Sequence, residues 1–152
     1  MSTEEVKYRQ AALDDVHAVT DLLVQLYDAE AAELLAENER LLQDRDQVFF
    51  LALVGERPVG VVHAALRHDY VNGTSTSPVG FLEGLFVLPA YRRRGIAGSL
   101  VDMCQVWAAE HGCRELASDA LLDNEDSHRF HLSLGFEETE RVVYFRRNIE
   151  QG

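Results

Sequence analysis

The sequence predicts a mixed α/β domain: one twisted, largely antiparallel mixed sheet with helices flanking it. Three observations carry this. Two long apolar runs, VFFLALV and PVGVVHAALRHDY, flank the short Gly55–Pro58 break, as in a β-hairpin. Stretches with apolar residues at helical spacing alternate with the strand-like runs. The resulting order, β-α-α-β-β-β-α-β-α-β, needs helices over both faces of one sheet. A chain of 152 residues suits a single domain spanning 1–152, with no linker or repeat to divide it.

Each element has its own signal. VKYRQA, at about residues 6–11, reads as the first strand. Asp14 or Asp15 then caps a helix whose stripe is Val16, Val19, Leu22, Leu23 and Leu26. A second helix carries Leu34, Leu35, Leu41 and Leu42 and runs to about Gln43. The hairpin follows, and then Asn72–Pro78, which is turn chemistry throughout. GFLEGLFVL is a third long strand, and the helix after it aligns Ile96, Leu100, Cys104, Trp107 and His111 until Gly112 stops it. CRELASD is a buried-type strand, Asn124 to Leu134 a further helix, and RVVYFRR a last strand.

Composition narrows the function. With 26 acidic against 14 basic residues the net charge is -12, which disfavours nucleic acid and anionic lipid and favours a cationic ligand. An acidic surface also serves solubility alone. No apolar run reaches membrane-spanning length, and MSTEEVKYRQ lacks the apolar core of a secretory signal. Cys104 and Cys113 stand outside any metal-ligand spacing, and a reduced, cytoplasmic protein is expected. His128 and His131 have a metal-like spacing, but nothing completes a ligand set and no metal is expected.

The most informative stretch is FLEGLFVLPAYRRRGIAG, residues 81–98. A strand ends at Pro89, arginines 92–94 follow, and the small residues Gly95, Ala97 and Gly98 open a helix. A helix N-terminus exposes unpaired N–H groups and a partial positive charge, and small side chains let a phosphate approach them. An ordinary strand–turn–helix with solvated arginines has the same local pattern.

Val87-x-Pro89-x-Tyr91-Arg92-x-x-Gly95-x-Ala97, with Asn124 and Leu134-Gly135-Phe136 later in order, resembles the acetyl-CoA motif of the GNAT acetyltransferases. The resemblance implies that backbone groups of Leu85, Phe86 and Val87 hold the pantetheine and the acetyl carbonyl. It implies that the amides of Arg93, Arg94, Gly95, Ile96, Ala97 and Gly98 hold the pyrophosphate, and that Asn124 meets the pantetheine arm. A backbone N–H on the thioester carbonyl stabilises the charge that develops during attack.

A narrower resemblance lies in RHDYVNG, TSP, FLEG, GCRELASD and GFEETERVVYFRR, which look like blocks of the aminoglycoside 6'-N-acetyltransferases. It implies an aminoglycoside site at Tyr70, Glu83, Asp119 and Glu140, with Tyr27 as a further aromatic wall. The subgroup's tryptophan and histidine in the first helical region are replaced here by QLYDAEAAE. That departure leaves room for another acceptor, such as a polyamine, a metabolite amine or a protein amine. A non-catalytic acetyl-CoA-binding module is the remaining alternative.

The chemistry is consistent with these positions. A protonated amine is no nucleophile, so its proton needs a route out. Glu83 is the expected base, directly or through water, and Asp119 orients the ammonium groups. His131 stands where many relatives carry a tyrosine that protonates the leaving thiolate, and could serve as that donor. The two cysteines read as core residues, so direct attack in a ternary complex is expected rather than an acyl-cysteine. The resemblance also implies a homodimer joined through the C-terminal region, where VVYFRR could extend a partner's sheet.

Overall fold

The computed structural model describes residues 4–150. The chain divides after Asp119 into two units.

The first unit is built on a five-stranded sheet in sequence order: β1 Val6–Gln10, β2 Gln47–Val54, β3 Arg57–Arg67, β4 Val79–Val87 and β5 Leu116–Ala117. The first four pair antiparallel, and β5 pairs parallel to β4 after the crossover helix α3, Ile96–Glu110. Between β1 and β2 lie α1, Val16–Leu23, and α2, Ala31–Leu41.

Residues 48–53 of β2 are all buried because both faces of this strand are covered. Phe49, Leu51 and Leu53 pack with Val19, Leu22 and Leu23 of α1 and with Val61. On β3, an added Cβ at Gly60 would touch Ile96 and Leu100, which places α3 over the opposite face. Ile96, Leu100, Cys104 and Trp107 are buried there, as their spacing predicts. Burial pushes the Cys104 thiol up to about 12, which leaves it a core residue rather than a nucleophile.

α1 and α2 are joined by a buried bond, Asn38 Nδ2 donating to Thr20 Oγ1 at 3.0 Å. α1 stops at Leu23, three residues short of the expected stripe. The Leu23 carbonyl accepts from both Leu26 N–H, at 2.9 Å, and Tyr27 N–H, at 3.0 Å. The chain therefore turns away there, leaving Leu26 exposed and Tyr27 directed inward. Asp15 precedes α1, and its carboxylate accepts from the Ala12 N–H and pairs with Arg9.

The second unit contains α4, Glu125–Ser133. Asn124 Oδ1 caps it by accepting from Ser127 N–H at 3.2 Å. The Leu134-Gly135-Phe136 sequence closes it. Gly135 N–H reaches Leu132 O at 3.1 Å, Phe136 N–H reaches His131 O at 3.0 Å, and Gly135 takes φ +90°. This is a Schellman ending with its side-chain contact, the Phe136 ring lying 5.4 Å from that of His131.

The strand expected over RVVYFRR is not formed among the described residues: 136–150 carry no strand or helix. Val143, Tyr144, Phe145 and Ile149 are exposed there. The strand expected over CRELASD shrinks to two residues because β4 is paired only as far as Phe81.

His63 is a buried polar residue of this sheet, stacked on Phe49 at 4.2 Å with Nε2 donating to Gln47 Oε1 at 2.7 Å. Burial holds its imidazole down, from 6.5 to about 4. The folded state thus binds this proton less readily than the unfolded chain. The contribution of His63 is full above about pH 6.5 and is lost as pH falls towards 4, a swing of about 3 kcal/mol. We expect a His63→Asn variant to lose thermal stability less steeply than the parent between pH 6.5 and 4.5. Parallel slopes of melting temperature against pH would contradict this.

Candidate active site

The surroundings of Glu83 in the first unit depend on a break in register between β3 and β4. Ala65 pairs with Phe81 and Ala64 with Leu82, but His63 pairs with Gly84, so Glu83 is an extra residue on β4. Ala65 and His63 lie on one face of β3, and their partners Phe81 and Gly84 therefore share a face. Alternation puts Glu83 on the same face as Phe81. The bulge thus turns two consecutive positions, Glu83 and Gly84, to one side of the sheet.

Three side chains from separate elements meet there. Arg67, ending β3, places Nη2 2.7 Å and Nε 3.2 Å from the same Glu83 oxygen, Oε1. Its guanidinium lies 3.7 Å from the centroid of the Phe81 ring. Tyr27 donates its hydroxyl to the Glu83 carbonyl at 3.2 Å. Burial, and then the Glu83 charge, raise the Tyr27 phenol above its ordinary value, so it stays a donor at neutral pH.

Tyr70 and Asp119 lie on loops bordering this region. Tyr70 is 74% exposed, in the connection between β3 and β4. That connection is pinned by Glu115, whose carboxylate accepts from Ser75 N–H, Thr76 N–H and the Thr76 hydroxyl. Those bonds, led by the hydroxyl, hold the Glu115 carboxyl below its usual range. Asp119 follows β5 and is exposed. The last rung of the parallel pair is Phe81 with Ala117, so Glu83 and Asp119 each stand two residues beyond it. No hydrogen bond or ion pair joins Tyr70 or Asp119 to Glu83 among the described residues.

Past that rung the β5 side of β4 is unpaired through Leu85, Phe86 and Val87, since β5 ends at Ala117. Arg92 Nε takes the Val87 carbonyl at 2.8 Å, folding the arginine loop back on the strand. Gly95, at φ +79°, is the N-cap of α3, and Arg93 also takes a positive φ of 64°. The left-handed turn at Gly95 needs a residue without a Cβ. The first closed bond is Ser99 N–H to Gly95 O at 3.1 Å, which leaves the amides of Ile96, Ala97 and Gly98 without intrahelical acceptors. Arg94 is paired with Glu4 at 3.7 Å. An open strand edge leading to bare helix amides suits a long ligand that ends in an anion.

The second unit holds the other three expected residues. Asn124 Oδ1 is occupied by its cap, which leaves the amide nitrogen as the group suited to a ligand. His131 Nδ1 donates to Ser127 O at 2.7 Å, so the neutral ring has an acceptor at Nε2, and proton donation there requires the imidazolium form. Glu140 is exposed in the irregular segment. Among the described residues no group of three or more His, Cys, Asp or Glu is placed to hold a metal, and no helix is long and apolar enough to cross a membrane.

Sequence reasoning missed Arg67 and Gly84. A glycine inside an apolar strand signals a bulge or a close approach, and Gly84 marks both. A Cβ there would stand 2.1 Å from the Tyr27 hydroxyl oxygen. Gly84→Ala is therefore expected to displace Tyr27 and to cost about 1–3 kcal/mol as an overpacking substitution. Urea unfolding checks this, and an unchanged midpoint would show that Tyr27 does not need the space.

Over residues 16–136 the sequence matches the acetyltransferase (GNAT) family. The aminoglycoside N(6')-acetyltransferase type 1 of Stenotrophomonas maltophilia is 44% identical over 143 residues, which is 93% of this chain and 93% of the relative. The protein of that name from Acinetobacter haemolyticus is 47% identical over 130 residues, 86% of this chain and 90% of its own length. The solved structure of AAC(6')-Iy in complex with the bisubstrate analogue CoA-S-monomethyl-acetylneamine has a TM-score of 0.90 and 40% identity, covering 95% of this chain and 99% of that one. With a family match over most of its length and relatives this similar along nearly all of it, the chain belongs to the acetyltransferase (GNAT) family.

Proposed function

We propose that this protein is an acetyl-CoA-dependent N-acetyltransferase acting on the 6'-amino group of aminoglycosides, with residues 1–152 working as one catalytic domain. The observation that carries the reading is the arrangement along β4. The acceptor carboxylate Glu83 stands on the same strand whose open edge runs on to the bare amides of α3. The relatives named aminoglycoside N(6')-acetyltransferase and the bisubstrate complex of AAC(6')-Iy support it.

In this reading the backbone of Leu85, Phe86 and Val87 pairs with the pantetheine and polarises the acetyl carbonyl. The amides of Arg93, Arg94, Gly95, Ile96, Ala97 and Gly98 take the pyrophosphate, and Asn124 binds the pantetheine arm. Acetyl-CoA supplies an acetyl group already activated as a thioester. Glu83 orients the amine and accepts its proton, through water, and Asp119 holds neighbouring ammonium groups. Tyr27, Tyr70 and Glu140 line the acceptor site, and His131, as imidazolium, supplies the proton that the leaving thiolate takes up. The acceptor nitrogen bonds to the acetyl carbon as the carbon–sulfur bond breaks. The acidic surface of the chain suits a polycationic substrate.

We place the protein in the cytoplasm, in keeping with its two free cysteines. We also propose a homodimer joined through the C-terminal segment, whose Val143, Tyr144 and Phe145 are exposed.

Thiol release from acetyl-CoA is expected to be fast with neomycin and nearly absent with paromomycin, which carries a hydroxyl in place of the 6'-amine. Equal rates would exclude that amine as the main acceptor. Glu83→Gln and Asp119→Ala should each lower kcat/KM, with the Glu83 change costing about 10²–10⁴-fold if it removes general base catalysis. For the assembly, sedimentation should give a dimer that Tyr144→Asp with Phe145→Asp converts to monomer. A monomeric parent protein would refute the dimer.

A further inference from the structure

Arg67 is an unexpected neighbour for a carboxylate meant to receive a cation. Both of its contacts go to one oxygen of Glu83, at 2.7 Å and 3.2 Å, and the guanidinium is fixed from the other side by the Phe81 ring. Glu83 Oε2 accepts no hydrogen bond among the described residues. The Arg67 side chain is 43% exposed and that of Glu83 26%, so the pair is partly shielded from water.

The other groups nearby do not replace its charge. Tyr27 is a neutral phenol, and His63 is neutral at physiological pH in its buried pair with Gln47. His68, just after β3, pairs with Asp46 at 3.2 Å.

Resting on the functional reading above, we propose that Arg67 is a positioning residue with two effects on the acceptor amine. By holding Oε1 it presents Oε2 in one orientation, as a hydrogen-bond acceptor for the incoming nitrogen. By its own positive charge it opposes the ammonium form of that nitrogen at close range, while leaving the neutral amine unaffected. A carboxylate alone would favour the ammonium form, which binds well and cannot attack. The Arg67–Glu83 pair instead offers a directed acceptor with little net charge. The ammonium releases one proton through water to solvent on binding, and the nitrogen keeps the electron pair that forms the new carbon–nitrogen bond. The second proton, shed as the amide forms, goes through water to Glu83. Asp119, outside this pair, is left to hold the amines that stay charged.

The test uses proton release on binding, measured by calorimetry at neutral pH in buffers of different ionisation enthalpy. The quantity read is the release with neomycin minus that with paromomycin, which isolates the 6'-amine. The parent protein should release more protons with neomycin, and Arg67→Gln should lose most of that excess. In turnover, Arg67→Gln should move the acidic limb of the kcat profile up by about one unit, lowering kcat near pH 7 about tenfold. KM for neomycin should stay level or fall. Arg67→Lys should restore the limb, and with the charge back but the fork missing it should raise KM for neomycin above that of the parent protein.

If Arg67→Gln lowers kcat at every pH with the limb unmoved and the proton excess intact, Arg67 is structural and the proposal fails while the activity stands. If the parent protein releases no thiol with neomycin, the functional reading itself fails.

Discussion

One misregistered residue on β4 shapes the surface around Glu83. Had β3 and β4 paired without the extra residue, Glu83 and Gly84 would face opposite sides of the sheet. The carboxylate would then be divided from the surface that Tyr27 occupies. With the bulge, a carboxylate and a side-chain-free patch lie next to each other on one face. Tyr27 fills the patch, and Arg67 reaches the carboxylate from the neighbouring strand. The parting of β4 from β5 beyond Phe81 completes the arrangement by leaving the strand edge open toward α3.

Much of this was legible because it is local. The Gly55 break predicts the β2–β3 hairpin, and the stripe through Ile96, Leu100, Cys104 and Trp107 predicts the buried face of α3. Gly112 marks the end of α3, where it takes a positive φ of 84°. The parts that were not legible depend on distant chain. Arg67 and Glu83 are brought together only by the β3–β4 register, and no spacing in the sequence encodes a bulge. Leu26 fits the periodic stripe, but the paired bonds to the Leu23 carbonyl end the helix before it. RVVYFRR has the composition of a strand, yet carries none among the described residues. Of the candidate site, the sequence places the α3 amides at a helix start and Glu83 on a strand, but not the Arg67 and Gly84 beside Glu83. Asn124 and His131 proved to have structural bonds as well, at a cap and at the preceding turn.

The charge distribution follows a similar division of labour. In an acidic chain, the arginine run before α3 makes a local positive region beside the positive end of the helix. Even there the side chains are partly committed: Arg92 bonds the Val87 carbonyl and Arg94 meets Glu4. The unpaired amides at the head of α3 need no side chain, so the anion site proposed there would rest on backbone geometry while the arginines hold the loop.

The unbroken burial of β2 has an evolutionary consequence. Every position from 48 to 53 is hemmed in on both faces, so substitution there puts the fold itself at risk. The positions bordering the acceptor side are different. Tyr70 sits on an exposed loop and Asp119 just past a two-residue strand, where exchanges carry little folding penalty. If these positions line the acceptor site as proposed, selection can vary them through many single changes while the sheet stays fixed, and substrate range would drift faster than fold along this lineage.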